Sequence, residues 1–286
     1  MSAIDNSLLL LYKPSGISSF WAVKKVKDRL GVKKAGHAGT LDPCAEGLLI
    51  IALGKATRTL SYIIGQDKHY EVYANLGIRT ATGDREGAVV ERQDFVIPQA
   101  QTLNRIFSDF SGQIEQTPPM YSALKHHGQR LYKLARANVS VPRKKRTVYI
   151  QSLTLKQIDA DGFSFAVQCS KGTYIRTLVE DIAKALGTVA YTGKLKRTAI
   201  GTFNIKSAIS LDDLPPNPPA KSQYLIKSDR IYANYDAYVM DASAERCFRH
   251  GLYTQGLPSG GCFRLYNESG DFLGVGGDSK VQVRFI

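Results

Sequence analysis

The sequence predicts an α+β fold with a small β domain at the C-terminal end. Strand patterns occur in several separate groups with helical patterns between them, which suits an α+β domain better than a regular parallel sheet. Pro215-Pro216-Asn217-Pro218-Pro219 denies both helix and ladder and reads as a stiff connector. Beyond it the pattern turns to short strands punctuated by turn residues.

In chain order, Phe20, Val23, Val26 and Leu30 recur at helical spacing among lysines, and Gly31 is placed to end that helix. Residues 36–47, rich in glycine and carrying Pro43, read as an ordered loop. They lead into 48–53, an apolar run typical of a strand buried on both faces. Tyr70, Val72, Ala74 and Leu76 alternate with His69, Glu71, Tyr73 and Asn75 as a half-buried strand does. Residues 80–87 are a turn-rich connection, 98–110 a helix, and Pro118-Pro119 a break. Leu124, Leu131 and Leu134 predict one side of a basic helix ending before Val141-Pro142. Phe163, Phe165, Val167 and Cys169 form a strand pattern. Ile175, Leu178, Val179, Ile182 and Leu186 form an amphipathic helix closed by Gly187. The expected division is a large domain over 1–214, a linker over 215–224 and a β domain over 225–286.

The apolar runs at 8–11 and 48–53 fall short of the roughly 20 residues of a membrane-crossing helix. The first residues lack the order of a signal peptide. A cytoplasmic protein with no membrane partner is expected. Cys44, Cys169, Cys247 and Cys262 are widely scattered and make no Cys-x-x-Cys pair, so neither a disulfide framework nor a metal site is indicated. The net charge is +13, from 38 basic against 25 acidic residues, which favours a polyanionic partner. Residues 116–158 contain no acid while Lys125, Arg130, Lys133, Arg136, Arg143, Lys144, Lys145, Arg146 and Lys156 all fall there. A second acid-free tract spans 182–211. Solvated faces usually mix signs, so these tracts point to a surface that tracks a nucleic-acid backbone.

Some motifs are turned down. Gly54-Lys55 lacks the phosphate-loop spacing after Gly47, and Ala56 stands where a magnesium-binding hydroxyl is required. Ser122 and Lys125 match a Ser-x-x-Lys nucleophile motif whose partner motifs are near-misses. His126-His127, read on a helix, face different ways and do not make a metal site.

Asp42, in Gly36-His37-Ala38-Gly39-Thr40-Leu41-Asp42-Pro43, taken alone is a turn former before proline. Glycines permit close backbone approach to a bulky ligand, and the apolar strand that follows supplies rigidity. The wider text resembles the TruB family, the tRNA pseudouridine-55 synthases. The resemblance runs through that loop, Lys13-Pro14-Ser15-Gly16, Lys68-His69-Tyr70, Pro119-Met120-Tyr121-Ser122-Ala123-Leu124-Lys125 and Ser170-Lys171-Gly172-Thr173-Tyr174-Ile175-Arg176, covering essentially 8–210. Cys44 and Glu46 depart from the pattern of the loop.

The resemblance implies a pseudouridine synthase fold: a mixed, largely antiparallel sheet flanked by helices, an RNA-gripping insertion at roughly 121–147 and a PUA-like C-terminal β domain. It implies Asp42 as nucleophile, Arg176 as its countercharge and Tyr70 against the flipped base. His37 is implied beside the vacated stack, Asp84 as a further acid near the site and Tyr174 at the substrate. Lys125, Arg130, Arg143, Lys144, Lys145 and Arg146 are then RNA-binding residues, suited to phosphate contact. Attack at C1′ or C6, or elimination at the sugar, are all open to an aspartate. No cofactor or metal is expected, since the reaction is an isomerisation. The partner implied is the T stem-loop of tRNA, taken by a monomer without guide RNA. An RNA-guided synthase subunit and a tRNA-folding assistant are the competing readings.

Overall fold

The computed structural model describes residues 4, 6–219, 222–250, 257, 259–277 and 280–285. The apolar strand β1 (Ser7–Lys13) is followed by helix α1 (Ser19–Leu30). The Ser18 hydroxyl caps α1 by accepting from the Trp21 amide, and Gly31 ends it in the left-handed region at φ 63°. Next come β2 (Ala35–His37), β3 (Glu46–Leu53), α2 (Leu60–Gly65) and β4 (Lys68–Leu76), then a hairpin of β5 (Ile78–Thr80) and β6 (Val89–Arg92). α3 (Ala100–Asp109) and β7 (Gly112–Gln116) precede a second hairpin, β8 (Lys125–His126) and β9 (Gln129–Arg130), which runs into α4 (Leu131–Arg136). β10 (Arg146–Asp159), β11 (Gly162–Cys169), α5 (Ile175–Ala185) and β12 (Ala190–Ile200) follow. β13 (Phe203–Asn204), β14 (Ile209–Ser210) and β15 (Leu225–Lys227) are short. β16 (Asp236–Val239), α6 (Ala242–His250), β17 (Phe263–Tyr266), β18 (Phe272–Gly277) and β19 (Lys280–Arg284) close the chain order.

The large sheet runs β14-β1-β3-β12-β4-β11-β10-β7, with β2 on β3, β13 on β12 and β15 on β1. Within this sheet, among the described residues, only β1–β14 and β12–β3 pair in parallel, so it is mixed and largely antiparallel, as expected. A second sheet, β16-β17-β18-β19, forms the C-terminal unit. One face of β1 and β3, Leu9, Leu11, Leu49 and Ile51, packs on Ala22, Val23 and Val26 of α1. The opposite face, Leu8, Leu10, Leu48 and Ile50, packs with Ile231, Tyr232, Val275 and Phe285. α3 and α5 cover Val72, Ala74, Phe163 and Phe165 of β4 and β11.

Four expectations change. Phe20, grouped by helical spacing with Val23, Val26 and Leu30, is 77% exposed, because Ser19, Ala22, Val23 and Val26 form the buried arc of α1. The basic helix through Leu124 is instead a hairpin and a short helix. His127 and Gly128 take positive φ, 46° and 81°, and make the two-residue turn between β8 and β9. His126 and His127 therefore sit at that turn rather than on a helix. The boundary expected at 225 falls inside the large sheet, where Leu9 pairs with Leu225 and Ser7 with Lys227. The loop expected from 36 opens as strand, with Gly36 and His37 paired to Ala52 and Ile51.

Candidate active site

β2 and β3 pair antiparallel, so residues 38–45 are the tip of a hairpin and Asp42 lies on it. The tip is held from four directions. Ala38 donates its amide to Ile50 O at 2.9 Å. Ser19 Oγ accepts from the Leu41 amide at 2.8 Å and donates to Leu41 O at 3.0 Å. Arg197, 1% exposed, donates to Leu48 O at 2.9 Å, Gly39 O at 3.0 Å and Thr40 O at 3.4 Å. Lys13 Nζ donates to Ile17 O at 2.8 Å, Pro14 O at 2.9 Å and Pro43 O at 3.3 Å. Burial pushes the Lys13 ammonium down to about 8. Two buried cations thus satisfy carbonyls on both sides of Asp42, where a loop would otherwise leave them orphaned.

Arg176, in the first turn of α5, reaches the carboxylate. Its Nε is 3.0 Å from Asp42 Oδ2, and Nη1 is 3.6 Å from Asp84 Oδ2. Nη1 also donates to Thr82 O at 2.6 Å and Nη2 to Tyr121 O at 2.7 Å. The guanidinium is therefore fixed as well as charged. Burial raises the Asp42 carboxyl above the ordinary aspartate range, Arg176 and Lys13 pull it back, and Asp84 adds to the rise. Asp42, Tyr70, Tyr121, Tyr174, Arg176 and Arg197 border a cavity of about 270 Å³. Tyr70 on β4 is the cross-strand partner of Arg197 on β12, whose charge acts on its hydroxyl. Burial raises the Tyr70 hydroxyl, which keeps it protonated.

The expected residues separate into two groups. Asp42, Tyr70, Tyr174 and Arg176 come together at the cavity. Asp84 stands behind Arg176 rather than on the wall, its carboxylate accepting from Thr82 Oγ1 at 2.5 Å and the Glu86 amide at 3.1 Å. His37 is outside the lining, half-buried in β2, with its pKa lowered by burial and by Arg197. Lys125 and Arg130 face each other across the β8–β9 hairpin, and Lys144, Lys145 and Arg146 are exposed. Arg143 donates to Pro118 O at 3.0 Å, and Lys145 pairs with Glu115 at 3.3 Å. Burial, and then the nearby Glu46, raise the Tyr12 hydroxyl above its ordinary value.

Lys13 and Arg197 carry no role in the sequence reading; the signal available for Arg197 is a basic residue inside a strand. Among the described residues, Cys44, Asp84 and Glu86 bring possible metal-ligating atoms within 4.8 Å of one another. Asp84 is committed to Arg176, and burial with neighbouring carboxylates pushes the Cys44 thiol up to about 12, so the trio makes a poor donor set. The cavity offers one carboxylate beside a fixed cation, facing aromatic rings. That arrangement suits covalent attack on a planar, uncharged ring or its attached carbon.

Two solved structures share the fold: a Cbf5-Nop10-Gar1 complex at TM-score 0.72 and an H/ACA RNP bound to a substrate RNA at 0.71. Each match covers 96% of this chain and 79% and 78% of theirs, at 24% and 22% identity. The TruB family pseudouridylate synthase N-terminal domain matches residues 27–175, and the tRNA pseudouridylate synthase B C-terminal domain matches 176–223. Proteins named tRNA pseudouridine synthase B from Methylobacillus flagellatus and Nitrosococcus oceani are 42% and 43% identical, over 95% of this chain and 90% of theirs. One from Pseudomonas aeruginosa is 39% identical over 95% of this chain and 91% of its own length. Fold and relatives define the class as a pseudouridine synthase, an isomerase. Within that class the chain belongs to the TruB family.

Proposed function

We propose that this chain converts uridine to pseudouridine at position 55, in the T loop of tRNA, with Asp42 as nucleophile. The observation that carries the reading is the Asp42–Arg176 pair, 3.0 Å apart, at a cavity walled by Tyr70, Tyr121 and Tyr174. The uridine C1′–N1 bond breaks, C1′ joins C5, the C5 proton leaves and N1 gains one, so nothing is consumed. Whichever atom is attacked first, the carboxylate must be ionised, and Arg176 with Lys13 favours that state. Tyr70 supplies a ring for the base, placed by its pairing with Arg197 across the sheet. Asp84 acts by fixing Arg176.

The target base reaches Asp42 only out of its stack, at a cost of a few kcal/mol. The basic segment over 121–147 offsets that cost by gripping phosphates, using Lys125, Arg130, Arg143, Lys144, Lys145 and Arg146. His37 fills the space the base leaves in its stack, while Tyr174 borders the cavity that receives it. A chain carrying its own basic grip works as a cytoplasmic monomer without guide RNA.

The test is to map pseudouridine in unmodified tRNA after incubation with the purified chain alone. Position 55 is modified by the wild type, while Asp42→Asn binds tRNA nearly normally and makes none. Turnover by Asp42→Asn at the wild-type rate removes Asp42 as nucleophile, and a strict requirement for guide RNA overturns the stand-alone reading.

A further inference from the structure

α1 presents a face that neither the core nor the Asp42 cavity uses. Phe20 is 77% exposed and Trp21, beside it, 41%. A single exposed aromatic is ordinary, but two adjacent ones, with Trp21 on the wall of a cavity, mark a contact surface. That cavity, about 820 Å³, is walled by Tyr12, Pro14, Ile17, Trp21, Arg29 and Leu211. Lys25 Nζ lies over the indole, 4.9 Å from its centre. Lys24, Lys25, Arg29, Lys33 and Lys34 are exposed, and Asp28 is the one acid in residues 19–34.

The position of this face matters as much as its chemistry. Ser19 bonds both the amide and the carbonyl of Leu41. Phe20 immediately follows Ser19, and Asp42 immediately follows Leu41. The aromatic face therefore begins one residue from the point where the Asp42 loop is anchored. Flat rings interleaved with cations suit looped RNA, whose bases stack on the rings while lysines meet phosphates. An acidic protein surface would use the cations and leave the rings without flat partners.

We propose that Phe20, Trp21, Lys24 and Lys25 form a second contact on the tRNA substrate, with a base stacked on the rings and its phosphates on the lysines. This rests on the reading of the chain as a tRNA-modifying enzyme.

Trp21 is the only tryptophan in the chain, so intrinsic emission reports on this face directly. Titrating unmodified tRNA into the wild-type chain quenches that emission saturably, with the midpoint given by filter binding. Phe20→Ala with Trp21→Ala weakens tRNA binding about tenfold or more, a stacking-sized loss, with melting temperature and kcat at saturating tRNA retained. Lys24→Ala with Lys25→Ala weakens binding and flattens its salt dependence. Unquenched emission at saturating tRNA, or wild-type affinity in both double variants, overturns the proposal. So does a spectral shift with anionic phospholipid vesicles and none with tRNA. If the aromatic variant does not fold, the emission titration and the lysine variant decide. A wild-type chain that neither binds nor modifies tRNA defeats the underlying reading. One that does both while the variants match it defeats this inference alone.

Discussion

Burial lifts the Asp42 carboxyl above the ordinary aspartate range, with Asp84 adding to the rise and Arg176 and Lys13 opposing it. A raised folded-state pKa means the folded chain binds more protons between the unfolded value, 3.8, and the folded one. Stability therefore falls as pH rises through that window, and the full cost is in place above it. Asp42→Asn is expected to melt at a higher temperature than wild type near neutral pH, with the advantage gone below the unfolded value. Calorimetry across pH checks this; a neutral-pH loss would show that Arg176 needs the charge more than burial opposes it. The acid limb of kcat falls correspondingly above the ordinary aspartate value. Asp42, Tyr70 and Arg176 were legible because their motifs resemble a family's. The roles of Lys13, though it stands in a matching motif, and of Arg197 were not, since a fully buried cation runs against the usual pattern. The carbonyls they satisfy lack partners only once the loop has folded.

At the scale of elements, β12 brings the two halves of the sheet together. It pairs along β4 and meets β3 only at Lys196↔Glu46 and Arg197↔Gly47. Gly47 has φ 109°, and a Cβ there would sit 2.3 Å from Arg197 O. Gly47→Ala is expected to cost about 3 kcal/mol in urea unfolding, from backbone strain and the lost close approach, and to lower kcat by disturbing Arg197. A variant within error of wild type would show that β3 and β12 can separate without consequence. Strands with strict alternation, β4 and β11, were readable from sequence. The β8–β9 hairpin was not, because Leu124, Leu131 and Leu134 fit helical spacing while the turn depends on His127 accepting a positive φ. β12 was hidden because Lys194, Lys196 and Arg197 read as surface charge.

Across the whole molecule, the C-terminal sheet lends Val275 and Phe285 to the cluster that buries Leu8, Leu10, Leu48 and Ile50. The proline connector suggested a separable module, and it could not reveal this shared core. Removing residues 236–286 is expected to lower the melting temperature of the remainder and promote aggregation through the uncovered strands. Light scattering during a thermal melt checks it, and an unchanged melt would mean independent folding. The net charge of +13 bears on binding. Lys144→Ala with Lys145→Ala is expected to weaken tRNA binding and reduce its log–log salt slope by about one to two. The lower figure applies if Lys145 stays with Glu115, and an unchanged slope excludes both as phosphate contacts. The basic segment leaves the sheet after Gln116 and returns at Arg146, and those two residues are themselves a bonded pair of β7 and β10. Its ends thus meet at a closed ladder, so descendants can lengthen, shorten or exchange the part beyond Tyr121, whose carbonyl holds Arg176, without shifting the register around Asp42. Such a layout makes the choice of target a replaceable cassette, free to evolve while the chemistry stays put.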